Sequence, residues 1–581
     1  MKQIRLSLLL AILLLAGTSS AQKKTIKTLD IQTVTTNSKV VNGTAKIYAN
    51  PVISGFNPDP SICKVGKDFY LVTSSFEYFP GVPVYHSTDL VNWEMIGHVL
   101  DRPSQLNLDS AKSSGGIFAP CIRYNKGTFY MVTTLVKNGG DFICTATNPA
   151  GPWSEPHFIK GAPGIDPDLF FDDNGKVYMS GTATPTKKIW KGHNAIWTQE
   201  IDLEKWEFVG EKHINCDAGD YYNTINPLKA NSVNNLGAME GPHIYKKDGT
   251  YYFTCSIGGT GINHAFIILR SNNVFGPWEM NPNNPILTHR DLPANHPIVA
   301  TGHADLVQIQ NGDWAIVYLG KRTIQDGNSR SRVILGRETF MSTVDWSGEW
   351  PIVNTKGLVG RSELVQEKPN LAEAPAVDKS YLMEDFNGVK LHPQWTFLRT
   401  PRTEWWSLTD RKGFLRLKLR PEMIDQIANP SLVCKRQEHA DFTVTTKMDF
   451  NPTGENEEAG IVITKQMDCY LKYTVKFENK KIVLKVSMRD SKTSADSVLA
   501  KVRVSKGNIY LKMDVKGLIH SFSYSENGVK WKSLLQDNDL SDTQLVFGYR
   551  FTGSMVGMYA SSNGKSSNTY VDFDNFYYTN Q

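Results

Sequence analysis

Three carboxylates and a histidine recur at one register of a pattern that this sequence repeats five times. Each repeat has a polar turn that leads into an aromatic, alternating run: VGKDFYLVTSS, NKGTFYMVTTL, DNGKVYMSGTA, KDGTYYFTCSI and QNGDWAIVYLG. Counting back eleven or twelve residues from the second apolar position of each run gives Asp59, Ala119, Asp166, Glu240 and His303. Equivalent positions of a repeat are equivalent in space, so we expect these five residues to form one ring.

A ring with three acids is costly, because like charges at close range raise one another's pKa. Such arrangements are typical of functional sites. A carboxylic acid that donates a proton and a carboxylate that accepts one are the pair that cleaves glycosidic bonds. Each residue alone has a plainer explanation, with Asp59 and Asp166 as turn residues and His303 as a core histidine. Their shared register favours the functional interpretation.

The repeats also predict the fold that positions this ring. Each unit carries a hairpin signal, and four continue into a strand and a tryptophan-bearing turn, as in VYHSTDLVNWEMIG. Five all-β units of about 50 to 75 residues predict a five-bladed β-propeller, with a β-sandwich as the weaker alternative. The ring would then lie at one mouth of the central channel. In the stretch GFNPDPSI, two prolines flank Asp59 and predict a stiff, extended backbone there.

Composition and motifs exclude several other classes. The 581 residues carry a net charge of +5 without a Lys/Arg-rich run, so nucleic acid is not an expected partner. The sequence has no G-x-S-x-G, H-E-x-x-H, P-loop or Rossmann pattern. The seven cysteines are scattered without a C-x-x-C pair, which favours buried small hydrophobic residues over a disulfide framework or a zinc site.

The first 49 residues are predicted to lie outside the propeller. The start, MKQIRLSLLLAILLLAGTSSAQKK, has a basic beginning, an apolar run and a Ser-Ser-Ala end. It predicts a signal peptide over residues 1–21 and an exported protein, periplasmic or secreted. Neither a lipid-bearing cysteine after the run nor a later spanning segment is evident, so we expect no membrane anchor. Residues 22–49 form an N-terminal extension in this interpretation.

A second domain is predicted after the propeller of residues 50–355. Residues 356–378 have weak periodicity and are typical of a linker. Residues 379–581 contain alternating strands such as FTVTTKMDF and CYLKYTVKF, which predict a β-sandwich. Asp385 and Asp574, on its first and last strands, are candidates for a structural calcium site. Exposed strand-end aspartates are the plainer explanation.

An ordered set of motifs resembles glycoside hydrolase family 43. The motifs are NPVISGFNPDPSI, SSFEYFPGVPVYHSTDLVNW, GGIFAPCIRY, IDPDLFFDDNGKVYM, EGPHIYKKDGTYY, TGHADLV and ILGRETF. The match runs from about residue 50 to the C terminus and points to the two-domain β-xylosidase and α-L-arabinofuranosidase branch, with a concanavalin-like C-terminal domain. The resemblance implies an all-β, five-bladed propeller and an inverting reaction. It also implies Asp59 as general base, Asp166 as the carboxylate that orients the acid and raises its pKa, and Glu240 as general acid.

The resemblance further implies which residues form the walls of the pocket. These are Phe76, Phe118, Ile165, Thr260, His303 and Arg337, with Arg337 bonding to sugar hydroxyls. The alternative for Phe76 and Phe118 is that they are core aromatics. The alternative for Arg337 is an ion pair with Glu338 or another acid. Phe118 replaces the tryptophan and Ile165 the phenylalanine of many β-xylosidases in the family, which leaves the sugar specificity open. The loop RFTGSMVGMYA is expected to reach over the mouth, with Met555 where an aromatic often sits.

The function that these residues and the resemblance imply is exo-acting, inverting hydrolysis without a required cofactor. The expected substrates are hemicellulose xylo- or arabino-oligosaccharides, from which a terminal β-D-xylose is removed. The alternative activity is that of an α-L-arabinofuranosidase on arabinoxylan or arabinan, either alone or as one activity of a bifunctional enzyme. A non-catalytic glycan-binding protein is a remoter one, because binding alone does not need three acids in register.

Overall fold

A computed structural model describes residues 40–41, 45–137, 139–219, 238–293, 295–325, 331–354, 359–493, 495–505, 507–547 and 551–581. The predicted signal peptide lies outside these ranges. Within these ranges the regular elements are β-strands, together with the short helix Gln544–Phe547, two helical residues at 218–219, and the 3-10 turns Gln310–Gly312 and Ser380–Leu382. Within the described ranges, no helix has the length and apolar character needed to cross a bilayer.

Five antiparallel sheets form the blades of a propeller, each built in chain order. Blade one contains Ser61–Val65, Asp68–Val72, Gly81–Ser87 and Glu94–Leu100. Blade two contains Cys121–Asn125, Thr128–Leu135, Gly140–Ala146 and His157–Phe158. Blade three contains Ile165–Phe171, Val177–Ala183, Ala195–Asp202 and Glu207–Asp217. Blade four contains Glu240–Lys247, Thr250–Ile257, Ala265–Ser271, Glu279–Met280 and Leu287–Thr288. Blade five contains Ile298–Gln308, Trp314–Arg322, Glu338–Asp345 and Ile352–Val353, and the hairpin Ile324–Gln325 and Ser331–Arg332 follows its second strand.

The hairpin signals of the repeats correspond to tight turns between the first and second strands. In blade two, Lys126 and Gly127 have φ of 47° and 89°; in blade four, Asp248 and Gly249 have φ of 51° and 80°. Two successive residues with positive φ match the twist of the flanking strands, which is why such hairpins favour a glycine at the second position. The turn residues that repeat in the sequence therefore define the blades.

An arginine joins the innermost strands at the centre of the propeller. Arg123 of blade two donates to Asp305 Oδ2 of blade five and to Asp168 Oδ1 of blade three, both at 2.7 Å. His243 Nδ1 of blade four lies 2.9 Å from the same guanidinium, and Ser61 Oγ of blade one donates to Asp305 at 2.7 Å. All five blades thus meet in one buried polar network.

The central network is expected to control stability in a pH-dependent way. Burial opposes the charged forms of Asp168 and Asp305, but Arg123 and then His243 outweigh it and lower the pKa of both. Carboxylates with lowered pKa add stability above their unfolded pKa of about 4, and this stability is lost as the pH falls through the folded value.

Arg123→Met should therefore lower the free energy of unfolding by about 3–5 kcal/mol near neutral pH, because it leaves two buried carboxylates without their cation. Thermal denaturation followed by calorimetry between pH 3 and pH 7 measures this, and the deficit should shrink toward acid pH. Lys176→Met is the matched control, since Lys176 is 52% exposed and pairs with Glu200. That loss should be much smaller, because an exposed ion pair adds little stability. Equal losses in the two variants contradict the assigned role of Arg123.

Two large sheets form the C-terminal sandwich. In spatial order the first contains Ser497–Arg503, Lys481–Arg489, Cys469–Glu478, Glu458–Gln466, Met555–Ser561, Ser431–Arg436, Thr396–Leu398 and Tyr78–Phe79. The second contains Trp406–Ser407, Leu415–Lys418, Tyr570–Phe573, Asp441–Phe450, Ile509–Lys516, Ile519–Ser525 and Lys532–Asp539, with Phe576–Asn580 also beside Asp441–Phe450 and Met383–Glu384 beside Phe576–Asn580.

The first sheet of the sandwich ends on a strand from the propeller. Tyr78–Phe79, between the second and third strands of blade one, pairs with Thr396–Leu398. One face of this sheet packs in the sandwich core, and its other face packs on Phe56 and Phe76 of the propeller. Both faces are buried, so its central strands lack a solvent-facing stripe, and Glu458–Gln466 is buried along its whole length. The two domains are therefore joined through a shared sheet.

Parts of the predicted extension and linker form a small sheet of their own. Ala45–Ala49 pairs with Val40–Val41 and Val365–Glu367. Tyr48 donates its hydroxyl to the Met341 carbonyl of blade five at 2.6 Å. Weak periodicity suggested a linker here, but the strand pairing fixes this segment against blade five.

The cysteines and the calcium candidates can be located in the structure. All seven cysteines are described, free and buried, which confirms their interpretation as small hydrophobic residues. The Asp574 carboxylate is paired with Lys447, and Asp385 accepts from the backbone and side-chain nitrogens of Asn387. Neither belongs to a cluster of three ligand-type side chains within the described ranges. Calcium binding stays a prediction, and this geometry gives it no support.

Candidate active site

The residues of the predicted ring occupy the beginnings of the five innermost strands. Glu240 is the first residue of its strand, Asp166 is the second, and His303 lies inside Ile298–Gln308. Asp59 and Ala119 each lie two residues before the first strand of their blade. Four blades therefore present a polar group at this level, and blade two presents the buried methyl group of Ala119.

A shared backbone kink aims these side chains. Asp59, Asp166 and His303 have φ of 55°, 57° and 48°, and Gly241 after Glu240 has φ of 59°. The strand pairing shifts register at Asp166, Glu240 and His303, as in β-bulges, which reorient side chains. Left-handed backbone at a non-glycine residue costs about 1–3 kcal/mol and is concentrated at functional sites. The expectation of extended backbone at Asp59 was wrong, because its tertiary contacts outweigh the preference that Pro60 imposes.

Asp59 is fixed by contacts to both of its carboxylate oxygens. Arg337 Nη1 donates to Oδ1 at 2.6 Å, and Ser74 Oγ donates to Oδ2 at 2.6 Å. His303 Nδ1 lies 3.8 Å from Oδ1. A charged donor on one oxygen and a hydroxyl donor on the other fit an ionised carboxylate. Arg337 is thus paired with an acid, which was one of the two alternatives from the sequence, and the acid is Asp59.

Glu240 and Asp166 occupy environments that favour their protonated forms. Burial raises the pKa of Glu240 to about 7, with a further contribution from Asp59, while Arg337 acts in the opposite direction. Burial also raises the pKa of Asp166, His303 opposes this, and the charges of Glu240 and Asp59 add to it. These mutual effects place the three carboxyl groups within short electrostatic range of one another. The three carboxyl groups thus occupy unlike environments, an arrangement suited to acid–base catalysis.

A glycine makes room for the histidine of the ring. A Cβ atom on Gly241 would lie 2.9 Å from His303 Nε2 and 3.0 Å from Cε1. No side chain fits there, and the positive φ of Gly241 disfavours one as well. The glycine that follows Glu240 in EGPHIY is therefore required by the packing of the His303 ring.

Aromatic rings from both domains lie beside Arg337. Phe76 and Phe551 are each centred 5.4 Å from its guanidinium carbon. Phe118 is centred 5.2 Å from Phe76 and 6.0 Å from Phe551. Arg337 Nη1 is 3.4 Å from Thr260 Oγ1, and Arg337 Nε donates to the Phe551 carbonyl at 3.1 Å. Half-buried Ile165 directly precedes Asp166.

Met555 does not line this site, which corrects the prediction. It begins the strand Met555–Ser561, opposite Arg436 and Thr464, and its side chain has no exposed surface. A side chain without accessible surface cannot contact a ligand in the pocket. The aromatic that the sandwich supplies is Phe551, four residues earlier in the loop. Met555 instead packs in the interface cluster that contains Phe56 and Phe76.

Phe551→Ala is expected to weaken substrate binding more than it weakens the fold. The ring is half-buried beside Phe76 and Phe118, while the hydrogen bond that Arg337 makes to its backbone carbonyl is retained. We expect KM to rise about 10-fold, since roughly 1–2 kcal/mol of apolar contact is removed. Steady-state kinetics measures this. Met555→Glu should instead fail to fold, because it buries a charge, and Met555→Leu should remain close to wild type. An unchanged KM in Phe551→Ala contradicts a wall role.

Several polar residues near the ring were missed by the sequence analysis. Lys321 Nζ donates to the Thr260 carbonyl at 2.7 Å, and burial, followed by Arg337 and Lys465, lowers its pKa to about 7. Asp141 accepts from Thr134, and burial raises its pKa to about 7. The only signal for these two is an isolated charge within an apolar strand. Ser74 carries no signal at all.

One cluster among the described residues has the composition of a metal site. Cys121, Asp168 and His243 offer ligand atoms within 4.8 Å of one another. Arg123 donates to Asp168 and approaches His243 within 2.9 Å, so a positive charge already occupies the centre of this group. A metal ion does not fit beside it without displacing that arginine.

Comparison with known proteins agrees with this geometry. The family profile of glycosyl hydrolases family 43 matches residues 48–351, and the beta xylosidase C-terminal concanavalin A-like domain matches residues 383–579. A xylosidase/arabinosidase of Butyrivibrio fibrisolvens is 40% identical over 535 residues, which is 91% of this chain and 99% of that protein. A non-reducing end alpha-L-arabinofuranosidase of Bacteroides ovatus is 37% identical over 539 residues, 91% of this chain and 94% of that one.

Solved structures agree with the sequence comparison. A xylan beta-1,4-xylosidase from Bacillus halodurans superposes with a TM-score of 0.81 at 30% identity, covering 92% of this chain and all of that one. Both domains of this chain are therefore matched in sequence and in fold. The chain belongs to glycosyl hydrolases family 43 and is a glycosidase.

Proposed function

We propose that this glycosidase is exo-acting and inverting, and that it removes a terminal β-D-xylose from hemicellulose oligosaccharides. Asp59 is the general base, Glu240 is the general acid, and Asp166 is the third carboxyl group, which orients the acid. The observation that carries the proposal is the contrast between the carboxyl groups. Arg337 and Ser74 hold Asp59 in a form that accepts a proton, while burial raises the pKa of Glu240 to about 7.

The proposed reaction is a single displacement. Asp59 takes a proton from water as the water oxygen attacks the anomeric carbon. The bond from that carbon to the leaving oxygen breaks on the opposite face of the ring, and Glu240 gives its proton to this oxygen. The sugar is released with inverted configuration, and room for the water requires an acid–base separation of about 6.5–9.5 Å. Asp59 ends protonated and Glu240 ends ionised, so both must exchange protons with solvent before the next turnover.

The pocket walls support a small, terminal sugar. Phe76 and Phe118 of the propeller and Phe551 of the sandwich converge beside Arg337, so both domains restrict the depth of the site. Removal of α-L-arabinofuranose, alone or in addition to xylose, is the second candidate. It is favoured by the relatives named above as a xylosidase/arabinosidase and an alpha-L-arabinofuranosidase, and by Phe118 and Ile165, which depart from the common β-xylosidase residues.

A paired assay tests the proposal. The purified protein is compared on nitrophenyl β-xyloside, nitrophenyl α-arabinofuranoside and a series of xylo-oligosaccharides. Proton NMR during hydrolysis of a β-xyloside should show α-xylose first, before mutarotation. Initial β-xylose would contradict inversion, and early release of mid-chain fragments would contradict exo action. Arabinofuranoside activity that exceeds xyloside activity would favour the second candidate.

We also propose that the protein is exported after removal of residues 1–21, on the basis of the N-terminal pattern alone. Expression of the full chain in a bacterial host, followed by N-terminal sequencing of the periplasmic fraction, should give a mature protein that begins at Gln22. Retention of the intact N terminus in the cytoplasm contradicts this.

A further inference from the structure

A buried histidine lies behind Glu240 and has no role in the reaction described above. His264 directly precedes the strand Ala265–Ser271 and has no solvent exposure. Its Nδ1 lies 3.2 Å from the Ala300 carbonyl oxygen. A carbonyl oxygen can only accept a hydrogen bond, so Nδ1 carries the proton and Nε2 carries a lone pair. Nε2 lies 3.8 Å from Glu240 Oε1 and has no hydrogen-bond partner in the described part of the chain.

The imidazole of His264 is neutral. Burial lowers its pKa well below the usual value, and His303, Lys321 and Arg337 lower it further, against the Ala300 contact. These three residues act on the ring electrostatically, and Glu240 lies 3.8 Å from its Nε2. A second proton on His264 would be buried close to two cationic side chains. The nitrogen that faces Glu240 therefore remains an acceptor across the pH range in which Glu240 titrates.

The ring is held in this orientation by a glycine. A Cβ atom on Gly302 would lie 2.6 Å from His264 Cε1 and 2.7 Å from both ring nitrogens. The imidazole thus fills the space of the missing side chain, and any larger residue at position 302 would displace it. The packing of the His264 ring therefore explains why a glycine precedes His303 in TGHADLV. In the same way, the packing of the His303 ring explains Gly241.

We propose that His264 is a positioning residue that keeps the Glu240 carboxyl group in its proton-donating form between turnovers. The inference rests on the proposed role of Glu240 as general acid. An unprotonated nitrogen accepts a hydrogen bond from a carboxylic acid but repels a carboxylate, so it favours the protonated side chain. A side-chain movement of about 1 Å brings 3.8 Å to hydrogen-bond length.

The order of events follows from this contact. In the resting enzyme the Glu240 hydroxyl donates to His264 Nε2. When substrate binds, the carboxyl group rotates and its proton goes to the leaving oxygen. The resulting carboxylate faces a lone pair, which favours its reprotonation by solvent. His264 itself neither gains nor loses a proton.

His264→Phe tests the inference because it keeps a ring in this space and removes both nitrogens. In the pH profile of kcat/KM, the midpoint of the alkaline limb should move to a lower pH by about one unit. At pH 7 the kcat for xylobiose should fall about 5-fold, and the kcat for a nitrophenyl xyloside about 2-fold, with KM nearly unchanged. A merely structural residue would not shift the limb or discriminate between leaving groups.

His98→Phe is the matched control. His98 is also buried, its Nε2 also has no partner in the described part of the chain, and burial lowers its pKa to about 3. It lies in the outer strand Glu94–Leu100 of blade one. This variant should alter thermal stability and leave the alkaline limb in place.

Glu240→Gln, measured alongside, separates the inference from the proposed function. If that variant keeps the alkaline limb, the role of Glu240 is wrong. If it abolishes the limb while His264→Phe leaves the limb at the wild-type pH, the inference about His264 is overturned. Infrared spectroscopy of the wild-type protein gives a test that does not depend on folding of a His264 variant. The carboxylic-acid band that Glu240→Gln removes should have a hydrogen-bonded frequency, and a free frequency overturns the inference.

Discussion

Glu240→Gln is expected to lower kcat/KM for xylobiose by about 10³- to 10⁴-fold and to cost an activated aryl xyloside about 10-fold or less. The leaving group of xylobiose is the second xylose, whose hydroxyl is a poor acid, so its oxygen needs a proton as the bond breaks. The leaving group of the aryl xyloside is a nitrophenolate, which is stable without an added proton. Glutamine has the size of glutamate but no acidic proton, so only the poor leaving group should lose most of its rate. Steady-state kinetics on both substrates at pH 6 measures the contrast.

The pH profile provides a second readout for the same variant. The pKa of Glu240 is raised to about 7, and a general acid works only while it holds its proton. Wild-type kcat/KM should therefore fall as the pH rises through about 7, and this fall should vanish in Glu240→Gln. Glu279→Gln is a suitable control, because Glu279 is an exposed acid of the same blade that pairs with Arg270. Equal losses on xylobiose and the aryl xyloside would falsify the assignment of Glu240 as the acid.

Asp59→Asn is expected to lower kcat by about 10⁴-fold on every substrate, whatever its leaving group. The base activates water, and water attack is required whether or not the leaving oxygen needs a proton. Asparagine can still accept from Arg337 through its one oxygen, and the Ser74 hydroxyl can turn to accept from the new amide nitrogen, so binding and folding should change much less than turnover. KM, kcat and thermal stability, measured with xylobiose and an aryl xyloside, test each part of this expectation.

Asp68→Asn is the matched control for the base. Asp68 is a partly exposed acid of the same blade that pairs with His86. The substitution Asp68→Asn should leave kcat unchanged on both substrates. If Asp59→Asn retains aryl xyloside activity at the level of Glu240→Gln, Asp59 is not the base. If Asp59→Asn loses thermal stability as heavily as Arg123→Met, its main role is structural.

The repeat register predicted the ring because a propeller gives equal positions in each blade equal distances from the axis. The same register, counted two or three residues further, gives Ser61, Cys121, Asp168, His243 and Asp305. All five bond to Arg123 or to one another in the central network. This second ring was therefore also accessible from the sequence, although it was not noticed there.

Other features depend on contacts that no local pattern encodes. The prolines around Asp59 predicted extended backbone, but Arg337 and Ser74 hold the residue at φ 55°. The loop over the pocket could be recognised, but its aromatic could not be located, because the pairing with Arg436 decides that the strand begins at Met555. His264 has an ordinary sequence context, and its position behind Glu240 becomes evident only when the strands of blade four are paired.

The strand that the propeller adds to the sandwich has a consequence for the evolution of proteins with these two domains. Phe76 lies two residues before Tyr78–Phe79, so one short segment forms both a pocket wall and a sheet edge. A recombination event within residues 356–378 that brought in a foreign sandwich would leave this edge strand without its partner and the pocket without Phe551. We therefore expect the two domains to be inherited together, and residues 76 and 551 to vary in concert among relatives.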